Sequence, residues 1–195
     1  MSSRENNIVV NEGWGRKELY AHFAELGFKI GCEVGVKAGA NAKLMLKTIP
    51  DLKLYLVEPY ADYDLTDFEF GQMRHTRHFS EAVHSLCNRK HPCDVRFIIE
   101  KSEDGAAKIK DGSLDFVYID GNHHYNFCML DLILYSRKVR PGGIVSGHDY
   151  VIPGVEYSVN DYASANKIDT IYLTDRNVKG HTLDKLISWY FIKGE

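Results

Sequence analysis

Short apolar runs alternate with segments of helical spacing along most of the chain. Seven apolar runs predict strands, at 29–34, 52–57, 95–99, 114–119, 144–147, 170–173 and 188–192. Helical spacing predicts one helix before the first strand, at 19–27, and helices between the strands at 41–47, 80–89, 102–110, 126–139 and around 155–162. The run 114–119 is almost entirely apolar, which is typical of a strand covered on both faces. The alternation predicts right-handed βαβ units in a doubly wound sheet, with the last two strands as an antiparallel hairpin.

Composition narrows the function classes. The 195 residues carry a net charge of −3 and no long basic run, which argues against electrostatic binding to nucleic acid or to an anionic membrane. The first 15 residues are polar, and no apolar run reaches the length of about 18 residues that spans a bilayer. The four cysteines form no C-x-x-C pair, so we expect reduced thiols in a cytoplasmic protein.

The first three predicted strands each end in polar residues that suit a nucleotide-like ligand. The first is followed by Glu33–Gly39, where Gly35 and Gly39 allow a tight turn beside a helix N-terminus. Lys37 replaces the middle glycine of the dinucleotide motif, which disfavours NAD. Glu58 ends the second strand and suits ribose hydroxyls, and Ser102 and Glu103 follow the third. The simpler alternatives are a plain glycine turn, a solvated strand-end acid and a helix cap at Ser102.

The fourth and fifth strands each deliver an acid and a histidine to the same edge. Asp120 and His123 follow the fourth strand, and His148 and Asp149 follow the fifth. An imidazole titrates near neutral pH and can accept a proton from a hydroxyl group. Two carboxylates and an imidazole can also hold a divalent cation. A histidine after a strand is commonly structural, but two such pairs at one edge favour function.

Taken together, these segments resemble class I methyltransferases of the methyltransferase domain 24 type. The resemblance rests on DFVYIDGNHHY at 115–125, on DL at 131–132, on PGG at 141–143 and on HDY at 148–150. It extends to E-x-G-x-x-x-G at 33–39 and covers the chain from about residue 27 onward. It implies one Rossmann-like α/β domain at 28–195, after an N-terminal extension and helix at 1–27. Its sheet would have seven strands in the order 3-2-1-4-5-7-6, with strand 7 antiparallel.

The resemblance also implies S-adenosylmethionine (SAM) as cofactor, with residue roles carried over by position. Glu33, Gly35 and Gly39 would line the methionine and sulfonium side, Glu58 the ribose, and Ser102 and Glu103 the adenine, with Asp120 beside the transferable methyl. Related O-methyltransferases bind a divalent metal, which by position would lie on Asp120, His148 and Asp149. His148 stands where these relatives have an acid, which disfavours magnesium and leaves manganese, another softer metal or no metal.

The resulting hypothesis is O-methylation of a small-molecule acceptor, a sugar or aromatic hydroxyl. His123 or His148 would accept the proton, with Asp149 orienting a histidine, and His123 is preferred because it matches the family pattern. Residues 60–78 form a lid over the cleft or a solvated insertion, and an exposed edge strand or the N-terminal helix could pair two copies. The alternatives are a non-catalytic cofactor-binding module and another transferase or an oxidoreductase on the same scaffold.

Overall fold

A computed structural model describes residues 6–60, 75–87, 94–175 and 187–194. Within these residues, strands and helices alternate through most of the chain, as the apolar pattern predicts. The elements are β1 Asn7–Asn11, α1 Arg16–Glu25, β2 Ile30–Val34, α2 Ala40–Thr48, β3 Lys53–Val57, α3 His75–Cys87, β4 Asp94–Ile98, α4 Ser102–Ala107, β5 Leu114–Ile119, α5 Tyr125–Ser136, β6 Val139–Gly147, α6 Pro153–Ala165, β7 Thr170–Thr174 and β8 Trp189–Ile192.

All the strands join one sheet in the order β1-β7-β8-β6-β5-β2-β3-β4. Read from β4, the seven predicted strands follow the expected order, and β8 is antiparallel to both β6 and β7. The α/β, Rossmann-like fold class is therefore confirmed. The sheet has one more strand than predicted, because β1 pairs in parallel with β7. Its apolar part is only Ile8–Val10, between two asparagines, which is too short to predict a strand from sequence. Pairing with β7 makes this segment a strand.

The fifth predicted strand is longer than its sequence pattern indicates. Pro141, Gly142 and Gly143 predict the end of a helix, but they lie inside β6, and α5 already ends at Ser136. The pairing register with β5 shifts between Leu114 and Phe116, so the ladder accommodates these residues at an irregularity. A Cβ atom at Gly143 would lie 2.4 Å from the Asp115 carbonyl oxygen, so this close approach requires glycine.

Two apolar clusters cover the two faces of the sheet. One packs α1 and α2 on the sheet through Leu19, Phe23 and Met45, and the other packs α5 and α6 through Leu132 and Val159. Each of these side chains is fully buried. The helices therefore hold the parallel strands so that the carboxyl ends of β2, β3, β5 and β6 meet at one edge, where ligands of doubly wound sheets bind.

The N-terminal segment packs on the same sheet as the rest of the chain, through β1 and α1. The boundary between residues 27 and 28 stays a prediction. None of the helices that the structure describes is both long and apolar enough to cross a membrane.

Candidate active site

The loop between β2 and α2 touches the end of β5. Gly35 has a φ of 86°, and a Cβ atom there would lie 2.1 Å from the carbonyl oxygen of Asp120. Gly39 precedes α2 with a φ of 76°, and Lys37 between them adopts a φ of 52°. Only glycine fits at position 35, since any side chain would collide with backbone. The backbone of the loop therefore lies directly against the end of β5.

Glu58 and Tyr60, after β3, hold this glycine loop from two sides. Oε2 of Glu58 accepts hydrogen bonds from the backbone N–H groups of Val36 at 3.0 Å and Lys37 at 3.1 Å. The Tyr60 hydroxyl donates to the Lys37 carbonyl oxygen at 3.0 Å. Tyr60 itself has a φ of 46°, a strained conformation for an aromatic residue. Side chains of the chain itself thus hold the loop in place, and Oε1 of Glu58 makes none of these bonds.

Glu33 is buried at the end of β2 in a polar network. Its Oε1 accepts from Asn41 Nδ2 at 2.9 Å, while its Oε2 is buried and accepts no hydrogen bond. Asn41 Oδ1 accepts in turn from the Tyr20 hydroxyl at 2.8 Å and from Arg16 Nη1 at 3.3 Å. Burial raises the pKa of Glu33 to about 8. The unpartnered oxygen suits a cationic hydrogen-bond donor.

Ser102 and Glu103 begin α4, where the sequence predicts contact with adenine. Lys101 occupies the cap position of this helix, so Ser102 is its first residue rather than its cap. The Ser102 side chain hydrogen-bonds to Asp131, and this bond lowers the pKa of Asp131. Burial has the larger effect and raises that pKa to about 7. The Ser102 carbonyl oxygen accepts from the Tyr135 hydroxyl at 2.9 Å. Glu103 is exposed. Ser102 therefore ties the start of α4 to α5.

The loops after β5 and β6 bring two histidines and two acids together. His123 Nε2 lies 2.7 Å from Asp149 Oδ2. His148 Nδ1 lies 3.0 Å from Asp149 Oδ1, which accepts no hydrogen bond, and 3.9 Å from Asp120 Oδ1. His148 and Asp149 are buried, whereas the His123 side chain is 32% exposed. Of the two histidines, His123 is therefore the one that faces solvent.

Close backbone packing positions these two loops. A Cβ atom at Gly154, in the first turn of α6, would lie 2.3 Å from the His123 carbonyl oxygen. Trp189 Nε1 donates to the His148 carbonyl oxygen at 3.1 Å. Asp149 has a φ of 61°, which turns the chain sharply after β6. The cluster thus depends on α6 and β8 as well as on the strands that carry it.

A family model described as a methyltransferase domain matches residues 32–150, which is more than half of the chain. The chain belongs to this methyltransferase family. The matched residues include the glycine loop, Glu58 and the whole histidine–aspartate cluster. No curated protein matches the sequence of this methyltransferase.

Solved methyltransferase structures share the fold at low sequence identity. The O-methyltransferase TomG from Streptomyces achromogenes, in complex with SAM, is 14% identical with a TM-score of 0.64, covering 92% of this chain and 79% of its own. An O-methyltransferase from Bacillus cereus, in complex with S-adenosylhomocysteine (SAH), is 15% identical with a TM-score of 0.61, covering 91% of this chain and 80% of its own. The N-methyltransferase NodS from Bradyrhizobium japonicum is 12% identical with a TM-score of 0.58, covering 92% and 95%. The fold therefore leaves the acceptor atom open.

The residues at the sheet edge fit the cofactor of this family. Gly35 leaves no room for a side chain, one oxygen of Glu58 is free of the glycine loop, and Glu33 presents a buried oxygen without a partner. These are groups that a ribose and an amino acid ammonium would satisfy. The chain is a SAM-dependent methyltransferase. The alternative hypotheses, a non-catalytic module and an oxidoreductase, are therefore rejected. The individual roles of these residues stay predictions.

Burial and charge set different ionisation for the acids in the cluster. Burial raises the pKa of Asp120 to about 6, and His148 nearby opposes this shift. Burial also acts on Asp149, but the hydrogen bond from His123 and the proximity of His148 outweigh it, so the pKa of Asp149 is lowered. The same hydrogen bond raises the pKa of His123 above its usual value. Asp149 is therefore an anion that makes His123 a stronger base.

The residues whose donor atoms converge closely enough to hold a cation are not the set that the sequence predicts. Among the described residues, ligand atoms of Asp120, His123 and Asp149 lie within 4.8 Å of one another. The sequence predicts Asp120, His148 and Asp149. His148 directs Nδ1 toward both acids, and its Nε2 is buried without a hydrogen bond. Two carboxylates and one imidazole suit manganese, iron or zinc better than magnesium.

Sequence reasoning missed three residues around the cofactor edge. Arg16 and Tyr60 belong to no motif, and the sequence places Asn41 only at the start of a predicted helix, whereas its side chain binds Glu33. The available signal for Asn41 was a polar residue in the first turn of the helix that follows the glycine loop, on the face toward the sheet. The predicted lid at 60–78 lies largely outside the described residues; α3 begins at His75.

Proposed function

We propose that this methyltransferase methylates a hydroxyl group of a small molecule, a sugar or an aromatic compound, and that His123 accepts the hydroxyl proton. The observation that carries the proposal is the 2.7 Å contact between His123 Nε2 and Asp149 Oδ2 beside Asp120. An oxygen nucleophile loses its proton as it is methylated, so a positioned base accelerates the step. The similar proteins TomG and the Bacillus cereus enzyme are both named O-methyltransferases.

The cofactor site would use the residues at the ends of β2, β3, β5 and the start of α4. Glu33 would face the methionine ammonium and Glu58 the ribose hydroxyls, with Gly35 and Gly39 shaping the loop. Ser102 and Glu103 would lie near the adenine. When bound, SAM supplies a methyl carbon that an acceptor oxygen attacks as the carbon–sulfur bond breaks. The protein contributes chiefly by holding the two reactants in line.

The acceptor would lie over the His123–Asp149 pair. Because Nε2 of His123 is held by Asp149, its Nδ1 is the atom that takes the proton from the acceptor hydroxyl. Asp149 stays ionised, orients the ring and stabilises the imidazolium that forms. Asp120 sits beside the reacting atoms. The net charge of −3 favours a small acceptor over a nucleic acid.

A second candidate mechanism uses a divalent cation in place of the base. It is favoured by the convergence of Asp120, His123 and Asp149, whose donor atoms could bind a cation. A bound cation would hold the acceptor oxygen and lower its pKa. His123 would then be a ligand and not a proton acceptor.

Two experiments together test the proposal. Calorimetric titration with SAH, against NAD as control, should show binding of SAH alone. Methyl transfer from SAM should then be measured on a panel of catechols, phenols and glycosides, with and without EDTA. We expect His123→Ala to lower kcat about 10²- to 10⁴-fold and to retain SAH binding, while the exposed neighbour variant His124→Ala stays near wild type.

Each outcome decides between the mechanisms. Activity that survives EDTA but not His123→Ala supports the base. Activity that EDTA abolishes and manganese restores supports the cation. Absence of SAH binding, or methyl transfer to none of the hydroxyl acceptors, would overturn the proposed function.

A further inference from the structure

Strand β1 has one open edge. It pairs in parallel with β7 from Asn7–Thr170 to Asn11–Thr174, and its other side pairs with no strand among the described residues. The Asn7 N–H group donates to the Asp169 carbonyl oxygen at 3.0 Å. Because successive peptide groups of a strand point to opposite sides, Asn7, Val9 and Asn11 face β7. The N–H and C=O groups of Ile8 and Val10 therefore face the open edge.

The same two residues also present exposed apolar side chains. Ile8 and Val10 are 41% and 51% exposed. In the register with β7 they lie opposite Ile171 and Leu173, which belong to the core cluster under α6. Ile8 and Val10 thus extend that apolar face beyond the helix. Charged residues or proline commonly protect an edge strand from pairing, and residues 7–11 contain neither.

We propose that β1 is a homodimer interface, in which two copies pair antiparallel around a twofold axis at Val9. The sequence Asn-Ile-Val-Val-Asn is self-complementary about its centre. Asn7 faces the partner's Asn11, and Ile8 faces the partner's Val10. A twofold interface requires this kind of self-complementarity, because the same patch serves both subunits.

The hydrogen-bonding pattern supports this register. Antiparallel strands alternate between pairs that exchange two hydrogen bonds and pairs that exchange none. When the pairing is centred on Val9, the peptide groups of Ile8 that face the open edge lie opposite those of the partner's Val10. The two symmetry-related Ile8–Val10 pairs are therefore the hydrogen-bonded pairs. A shift by one residue would instead set outward-facing groups opposite groups already bonded to β7. It would also place asparagine opposite an apolar residue.

The side chains favour a second copy over an unrelated partner. In the paired register, Ile8 and Val10 of both subunits lie on one face of a sheet that continues through the two molecules. Their four apolar side chains cover one another, and no charged side chain of residues 7–11 is buried. The interface is small, so we expect a dimer that forms at micromolar concentrations and dissociates on dilution.

Sedimentation equilibrium of the full chain, from about 1 to about 500 µM, tests this interface. We expect the wild-type mass to rise from monomer to dimer over this range. Val10→Lys places a charge among the exposed apolar side chains of β1. Val10→Pro removes an N–H group that faces the open edge and makes no hydrogen bond with β7. Both variants should stay monomeric, with SAH affinity and Tm near those of the wild type. Ile133→Lys, at an exposed position on α5, is the matched control and should dimerise normally.

The proposal is independent of the methyl acceptor. A wild-type protein that stays monomeric throughout would overturn it. A dimer that persists in both Val10 variants, or that is lost in Ile133→Lys instead, would place the interface elsewhere and overturn it as well.

Discussion

Three carboxyl groups near the cofactor edge differ in charge although they share the same chemistry. Burial raises the pKa of Glu33 to about 8 and that of Asp120 to about 6, while the two histidines lower that of Asp149. Without a cation beside it, Glu33 is therefore largely protonated near neutral pH, whereas Asp149 is ionised. A bound ammonium would lower the pKa of Glu33 and favour its anion. Such divergence between neighbouring acids is common where one group must bind and another must assist proton transfer.

Glu33→Gln should change the pH dependence of stability. A group whose pKa is about 8 when folded and 4.5 when unfolded binds its proton more tightly in the folded state. Its contribution to the free energy of unfolding is complete below pH 4.5 and is lost as the pH rises toward 8, by at most ~1.4 kcal/mol per pH unit. Glutamine keeps the shape of the glutamate side chain and does not titrate. Urea unfolding at several pH values should therefore show the wild type weakening relative to the variant across this window.

The control is Glu25→Gln, which changes an exposed acid at the end of α1, outside the buried network. It should leave that pH slope in place. Parallel curves for the wild type and Glu33→Gln would show that Glu33 is ionised throughout.

At the scale of elements, the geometry of the proposed catalytic cluster depends on how α6 begins. Helix α6 starts with Pro153 and Gly154, and Gly154 lies against the loop that carries His123. The adjacent loop carries Asp149, so the same packing sets the separation of His123 and Asp149. The separation of the proposed reactive pair therefore depends on α6 as well as on β5 and β6, the strands that precede the two loops.

Gly154→Ala should lower activity without loss of cofactor binding. The added Cβ atom would meet the His123 carbonyl oxygen at 2.3 Å, so the loop must move. Displacement of a catalytic group by about 1 Å can cost 10²-fold in rate. We expect kcat to fall by roughly 10- to 100-fold while the Kd for SAH stays near wild type.

Gly194→Ala provides the control, since a Cβ atom there meets nothing within 4 Å. Full activity of Gly154→Ala would show that the His123 loop tolerates displacement.

At the scale of the whole molecule, the N-terminal segment contributes to both the core and the site. Leu19, Tyr20 and Phe23 of α1 are fully buried against the sheet. Arg16 and Tyr20 hydrogen-bond to the Asn41 side chain, which holds Glu33. The segment that precedes the first predicted strand thus supports the predicted cofactor site.

Removal of residues 1–27 should prevent folding. Truncation of a buried Leu or Phe costs about 2 to 5 kcal/mol, so loss of three buried side chains approaches the whole stability of a typical domain. Circular dichroism and thermal unfolding should show no cooperative transition. Removal of residues 1–11 deletes β1 alone and should leave a folded protein that binds SAH. A folded 28–195 fragment would support the predicted domain boundary instead.

Local sequence was sufficient to predict the class of fold and the edge that carries the site. Apolar runs of strand length alternate with helical spacing, and such alternation admits few topologies. The carboxyl ends of parallel strands meet at one edge, so Glu33, Glu58, Asp120 and Asp149 could be assigned to it from their positions alone. The family resemblance, which covers the chain from about residue 27 onward, then implied the strand order.

Only the tertiary structure decided which groups meet. Strand β1 exists because β7 offers an edge, and β6 continues through Pro-Gly-Gly because β5 accommodates its irregular register. His123 rather than His148 bonds Asp149 Oδ2, and Asn41 reaches Glu33. These contacts depend on how separate elements pack against each other, which local sequence patterns do not determine. Sequence spacing determines which edge a side chain reaches, whereas packing from other elements determines its orientation and charge there.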